Sequence, residues 1–138
     1  MNYRKHQTSR VWLHLLTIPL IWIPLILIIP LDIACSLYQF VCFPVYKISR
    51  VKRSKYILIF DRNKLDYLKG FEKLGCMYCG YANGVFLYLK EIAGLTEKYW
   101  CGIMHEGKPG FEVQADQISQ DFARFNDKKD CEKKYGKA

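Results

Sequence analysis

Acidic residues are nearly missing from the first half of this chain of 138 residues: Asp32 is the only Asp or Glu before Asp61. Basic residues are missing as well between Arg10 and Lys47, so the stretch from Val11 to Tyr46 carries a single charge. About 20 apolar residues cross a bilayer core as a helix, and so short a chain has no second layer that could bury this run. We therefore expect the segment to lie in a membrane.

Catalytic signatures are lacking as well. The sequence contains no Ser–His–acid grouping, no glycine loop that would cradle a phosphate and no carboxylate-rich cluster. These absences give no basis for assigning an enzyme.

The positive charge is concentrated beside the apolar run. The formal net charge is +8, and Arg4, Lys5 and Arg10 precede the run. A denser cluster without acids follows it: Lys47, Arg50, Lys52, Arg53 and Lys55. Basic flanks favour the cytoplasmic side and anionic lipid headgroups as partners. This pattern predicts an inner (cytoplasmic) membrane protein whose folded domain faces the cytoplasm, and argues against nucleic acid as the partner.

The anchor is predicted at residues 1–48, with an apolar helix over 11–29 and an interfacial or returning helix over 31–48. A cleaved signal peptide is disfavoured because the run is too long and Pro19, Pro24 and Pro30 lie within it. Three geometries stay open: a tilted span followed by an interfacial helix, a re-entrant hairpin bending at Pro30, and one long kinked helix. Asp32, Ser36 and Gln39 share one face, and Asp32 would need a partner inside hydrocarbon.

Residues 49–138 are expected to form one basic, mainly helical domain. Residues 56–60 predict a strand or extended entry, after which Asp61 would cap a helix over 62–74 that stops at Gly75. The clearest helical period lies between Val85 and Trp100, and its apolar positions are Val85, Tyr88, Leu89, Ile92 and Tyr99. A further amphipathic helix is indicated by Ile118, Phe122 and Phe125, within a lysine-rich tail that frays. The predicted fold class is mainly α: a membrane helix or re-entrant hairpin, then a small helical domain stapled by a metal.

Four residues have the spacing of a metal site. Cys76 and Cys79 form C-x2-C followed by a glycine, and Cys101 and His105 form C-x3-H. A knuckle can direct two thiolates at one ion, and a helical turn places Cys101 and His105 on one face. Together they supply the four ligands of a tetrahedral zinc site, with the intervening helix as a brace.

Other assignments of the cysteines stay open. An iron ion or iron–sulfur cluster would use the same four ligands, or four cysteines including Cys131, which otherwise is a solvent-facing thiol. A dithiol redox motif at Cys76 and Cys79 lacks the usual βαβ setting. Disulfides are disfavoured in a reducing compartment. Cys35 and Cys42 are interpreted as small buried hydrophobes.

The runs KRSKYI, KLDYLKGFEKLGCMYCGYANG and EIAGLTEKYWCGIMH resemble a family of small bacterial membrane-anchored proteins with the motif C-x2-C-G-Y-A-N-G … Y-W-C-x3-H. The resemblance covers roughly residues 30–105. The family carries no activity that can be transferred to this chain. The resemblance implies only that Cys76, Cys79, Cys101 and His105 belong to one unit.

Three functions remain under consideration. The first is an accessory or assembly subunit that presents a metal-stapled domain to a larger membrane complex. The second is a membrane-associated electron carrier with an iron or iron–sulfur centre. The third is a monotopic enzyme acting on a lipid-like substrate, for which no catalytic acid or base is recognisable.

Overall fold

The computed structural model describes residues 11–136, so Arg4, Lys5 and Arg10 lie outside the described residues. The described chain is mainly helical, as predicted. Four α-helices follow one another: α1 (Val11–Tyr46), α2 (Gly70–Trp100), α3 (Ala115–Ser119) and α4 (Lys128–Tyr135). Two short 3-10 helices, Arg53–Lys55 and Arg62–Lys64, lie between α1 and α2.

Helix α1 is a single element of 36 residues with Pro19, Pro24, Pro30 and Pro44 inside it. Its Leu15–Tyr46 portion is long and apolar enough to span a membrane, by length and composition. Of the three anchor geometries, the structure has the one long helix, and the break expected at Pro30 is absent. A proline removes one backbone hydrogen bond, and α1 is continuous through Pro30 without it.

The chain reverses direction after α1. Lys47 adopts a left-handed conformation (φ 57°), and the Ile48 amide donates to the Phe43 carbonyl at 2.9 Å, which ends the helix. Residues 48–69 then return along α1. Residues 56–60, predicted as a strand or an extended entry, form no strand. Asp61 is a cap, as predicted, accepting from the Arg62 amide at 2.7 Å, but it caps a 3-10 helix only.

Helix α2 replaces two predicted helices and the loop between them. It starts at Gly70 and continues for 31 residues, so the predicted helix over 62–74, the stop at Gly75 and the knuckle at Cys76 are wrong. Gly80 and Gly84 are needed for close approach rather than for a turn. A Cβ atom would lie 2.6 Å from the Leu58 carbonyl oxygen at Gly80, and 2.7 Å from the Tyr56 carbonyl oxygen at Gly84.

The two long helices run in the same direction with the returning segment packed against both. Tyr78 contacts Ile21 near the start of this pairing, and Tyr99 stacks on Tyr46 at its end. The shared core is apolar: Ile28, Phe43, Ile57, Ala82, Val85, Tyr88 and Ile92. The period predicted for residues 85–100 is therefore confirmed from Val85 to Ile92, whereas Tyr99, predicted on the same face, is exposed.

The C-terminal part packs on the last turns of α2. A single parallel bridge joins Ile103 to Ala123. The predicted helix through Ile118, Phe122 and Phe125 is wrong, because α3 ends at Ser119 and only Phe122 of the three is buried. The tail predicted to fray forms α4, which is held by the Lys134 ammonium 2.7 Å from Asp121 and by the Tyr135 hydroxyl donating to the Gly102 carbonyl.

Candidate functional site

A buried carboxylate lies between α1 and α2. Asp32 is 4% exposed, and Arg53 of the returning segment places Nη2 2.5 Å from Asp32 Oδ2. The Tyr81 hydroxyl donates to the same oxygen at 2.9 Å, and the Ser36 hydroxyl to Oδ1 at 3.4 Å. A buried acid is stable only when charge and hydrogen bonds compensate it. Asp32 thus has the partner that its position in an apolar helix requires.

Two turns after Asp32, a network of uncharged groups around Gln39 continues the contact between α1 and the returning segment. The Gln39 carboxamide accepts from the Val51 amide at 3.0 Å and donates to the Val51 carbonyl at 3.4 Å, so it pairs with the backbone of the returning segment. Gln39 also donates to the Tyr88 hydroxyl, which lies 3.2 Å from Ser36 Oγ. Asp32, Ser36 and Gln39 share one face of α1, as predicted, but that face is turned toward the protein.

The protonation state of Tyr81 and the burial of Asp32 stabilise the contact between α1, α2 and the returning segment. Burial, and secondarily the hydrogen bond to the Asp32 carboxylate, raises the pKa of Tyr81 above its ordinary value, so the phenol stays protonated and keeps donating. Arg53 is half exposed, whereas Asp32 is enclosed. The arrangement can orient α1, α2 and the returning segment, and it leaves the carboxylate no open side toward a substrate.

Cys76 and Cys79 lie elsewhere, beside an open cleft between the two long helices. They are three residues apart in the first half of α2. The cleft has a volume of about 720 Å³, and α1 contributes Ile21 and Trp22 to it. Trp22 contacts the Tyr78 ring at 5.2 Å between centroids, and the Tyr78 hydroxyl donates to the Ile21 carbonyl at 2.7 Å.

Cys101 and His105 lie just beyond the other end of α2. His105 Nε2 is 3.6 Å from Glu97 Oε1, which also accepts from the buried Gln117 carboxamide at 2.8 Å. The His105 ring packs edge-on against Phe111. This end of the molecule therefore has its own small polar cluster with one histidine and one carboxylate.

The structure does not bring the four predicted ligands together. Cys79 and Cys101 are separated by 22 residues of continuous helix, about 33 Å at 1.5 Å per residue. Within residues 11–136 no three Cys, His, Asp or Glu side chains are close enough to hold one ion. In this arrangement each end of α2 contributes two of the four residues, so the predicted zinc or iron site would require another arrangement of α2, and metal binding stays a prediction.

The remaining cysteines are free thiols. Cys35 and Cys42 lie on α1 and are half-buried, and Cys131 is half-buried on α4, in contrast to the solvent-facing position predicted for it.

Sequence reasoning found Asp32, Ser36 and Gln39 but missed their partners Arg53 and Tyr81. The available signal was the pair Gly80 and Gly84, whose small-xxx-small spacing permits another segment to approach a helix. Read in that way, it places Tyr81, one residue after Gly80, at the same helix contact.

No known protein family, curated protein or solved structure matches this chain.

Proposed function

We propose that the protein is a membrane-bound accessory or assembly subunit that is held in one leaflet by α1 and offers the outer face of α2 to a larger membrane complex. One observation carries this proposal. Large apolar side chains are exposed along the whole of α1, from Trp12 (83%) to Val45 (73%), whereas Asp32 and Gln39 on the same helix are buried.

The exposed and covered residues occupy opposite sides of α1. At about 100° per residue, Ile26, Leu37 and Val45 point away from Asp32 and Gln39. The former are at least 60% exposed and the latter are buried. Apolar surface this continuous marks contact with lipid or protein, and its length along a single helix fits a leaflet.

The position of α2 indicates that α1 lies within one leaflet and does not cross the membrane. Helix α2 accompanies α1 from Ile21 to Tyr46 and carries charges along its length, including Lys73, Lys90 and Glu97. If α1 stood upright across the membrane, it would carry these charges into hydrocarbon. The free-energy cost is about 2.5–3.5 kcal/mol for each basic or aspartate side chain near the bilayer centre. The part of α1 before Ile21 supplies only about 15 Å of an apolar core about 30 Å thick.

The basic flanks support the same placement. Clusters before Val11 and after Tyr46 would both meet anionic headgroups if both ends of α1 lie on one side. By the bias of basic residues, that side is the cytoplasmic face of the inner membrane.

The outer face of α2 supports a protein partner. Phe86 (55%) and Leu87 (56%) are exposed on the side of α2 that points away from the buried Val85 and Tyr88. With α1 in lipid, these two side chains face water. Exposed adjacent apolar side chains on a rigid helix are typical of a binding surface. The electron-carrier alternative has less support, because it needs the four ligands that α2 separates.

The placement is tested with two fusion proteins, each carrying a reporter at one end of the full chain. We expect both reporters to be active on the cytoplasmic side, since α1 does not cross. Reporters on opposite sides would contradict the leaflet placement and favour a span.

The partner surface is tested by blue native electrophoresis of membranes solubilised in mild detergent. We expect the wild-type protein to migrate in a larger assembly that is lost on Phe86→Glu. Lys73→Glu, a charge change on the same helix away from this surface, is the matched control. Migration as a monomer in the wild type would contradict an accessory subunit.

A further inference from the structure

The cleft beside Cys76 and Cys79 has the size and lining of a binding site that the accessory role does not use. Its volume of about 720 Å³ lies within the range of about 300–1,000 Å³ typical of ligand sites. Trp22 forms part of one wall, and Leu68, Phe71 and Tyr78 form much of the other. The cleft is open on one side rather than enclosed, so a ligand can enter without unfolding the protein.

The cleft is continuous with the surface that we place in lipid. Its α1 wall is Ile21 and Trp22, between the exposed Leu20 and Ile23 of the same helix. Phe71 on the α2 wall is 92% exposed. The acyl chain of a lipid could therefore move along α1 from the leaflet into the cleft without crossing a polar barrier.

The lining contains one basic side chain, Arg62, on the second 3-10 helix. None of the ion pairs given for residues 11–136 involves its guanidinium. The lining carboxylate, Glu72, is already engaged: its Oε2 accepts from the Lys69 amide at 3.0 Å, as part of the cap of α2. A guanidinium without an acidic partner at the edge of an apolar cleft is complementary to phosphate, which it can bind through two parallel hydrogen bonds.

We propose that this cleft holds one acyl chain of a phospholipid, whose phosphate group is bound by Arg62. The occupant is a lipid rather than a peptide because most of the lining is apolar and its one positive charge, Arg62, matches a single phosphate. The inference rests on the proposed function only in that α1 lies in lipid.

Thiol protection measures occupancy directly, because Cys76 and Cys79 line the cleft. The full-length protein in dodecylmaltoside micelles is treated with N-ethylmaleimide, with and without palmitoyl-oleoyl-phosphatidylglycerol, and peptide mass spectrometry assigns each labelled thiol. Cys101 is also exposed but lies at the far end of α2, so it is the internal reference. We expect the lipid to slow alkylation of Cys79 several-fold relative to Cys101.

Two pairs of variants test the binding of the acyl chain and the binding of the phosphate separately. A Cβ atom at Gly75 or Gly70 would meet nothing within 4 Å, but only Gly75 lines the cleft. Gly75→Leu should abolish the protection and Gly70→Leu should preserve it. Arg62→Gln should reduce protection to the level given by palmitoyl-oleoylglycerol, which lacks phosphate, whereas Lys64→Gln on the same 3-10 helix should not.

Each contrary result overturns the proposal. Equal alkylation of Cys79 with and without lipid excludes acyl-chain binding in the cleft. Equal protection by the phosphate-free lipid in the wild type excludes the contact with Arg62. Protection that rises with protein concentration and not with lipid identifies a second copy as the occupant. Because the measurement is made in detergent, it is independent of the reporter and electrophoresis experiments, and either set can fail while the other stands.

Discussion

At the scale of single residues, the pair of Asp32 and Arg53 is asymmetric. The Asp32 side chain is 6% exposed and that of Arg53 is 49% exposed. Water can therefore solvate the guanidinium if the acid is neutralised, whereas it cannot reach the carboxylate if the guanidinium is removed. The cost of breaking the pair depends on which partner is left behind.

This asymmetry gives an ordered prediction for two substitutions. Arg53→Met should lower the free energy of unfolding by about 2 kcal/mol, because it leaves an enclosed carboxylate with only Tyr81 and Ser36. Asp32→Asn should cost less than about 1 kcal/mol, because the amide keeps hydrogen-bond partners and Arg53 turns to solvent. Chemical denaturation in detergent followed by circular dichroism measures both. Equal losses would show that solvent screens the pair already in the native state.

Because Tyr81 can ionise, the stability that the same network contributes depends on pH. Its folded-state pKa is raised, first by burial and then by Asp32. The native state then holds the phenolic proton more tightly than the unfolded state, whose pKa is about 10. The stabilisation from Tyr81 is fully present below the unfolded-state pKa and is lost as the pH rises through the raised folded-state pKa.

We therefore expect Tyr81→Phe to be less stable than the wild type at pH 8, with a difference that shrinks in the alkaline range as the wild type loses this contribution. Unfolding free energies measured across that range test the prediction. A difference that is constant with pH would mean that the hydroxyl contributes nothing through its ionisation.

At the scale of elements, the extent of α2 is difficult to predict from the sequence because the helix contains several glycines. Gly75, Gly80 and Gly84 suggest turns when only local rules are applied, because glycine weakens a helix by up to about 1 kcal/mol. In the structure two of the three admit the returning segment against the helix. Their role depends on residues 56–58, more than 20 positions away in sequence, and no local pattern contains that information.

The glycines give a prediction with an internal control. Gly84→Ala should destabilise the protein despite its better helix propensity, because its Cβ would lie 2.7 Å from the Tyr56 carbonyl oxygen and 2.8 Å from the Ile57 Cα atom. Gly75→Ala meets nothing within 4 Å and should stabilise by up to about 1 kcal/mol. Thermal unfolding of the two variants measures the contrast. Stabilisation by both would place the returning segment elsewhere.

Helical periodicity was the reliable part of the sequence. Of the five residues predicted on one face of this helix, Val85, Tyr88 and Ile92 are buried and Leu89 packs partly buried against them. The fifth, Tyr99, is 49% exposed. The same rule failed at Ile118 and Phe125, which are exposed, since Asp121 turns the chain in a left-handed conformation (φ 55°) between them. Periodicity identifies a face only where the chain remains helical for several turns.

At the scale of the whole molecule, the direction of α2 determines what the cysteines can do. The returning segment makes α2 run parallel to α1, so Cys79 and Cys101 lie at separate levels of the molecule, about 33 Å apart along the helix axis. The spacing in the sequence predicts a four-residue site because a helix that stops at Gly75 and a second helix that starts near Val85 leave Cys76 and Cys79 in the turn between them. The metal site and the continuous helix are mutually exclusive descriptions of residues 76–105 in one chain.

Hydrogen exchange separates these two descriptions. A continuous α2 predicts that amides 80–84, in the middle of the helix, are protected as strongly as those of Val85 to Ile92, because every one has its helical hydrogen bond and the returning segment covers Gly80 and Gly84. We expect this protection to remain when zinc is added to the anaerobically purified, reduced protein. Fast exchange at 80–84, or protection there that collapses with stoichiometric zinc and not in Cys76→Ser, would show that α2 opens to bring both pairs to one ion. In that case the contact of Gly84 with Tyr56 would have to break, so zinc would also expose Ile57, which the same experiment detects.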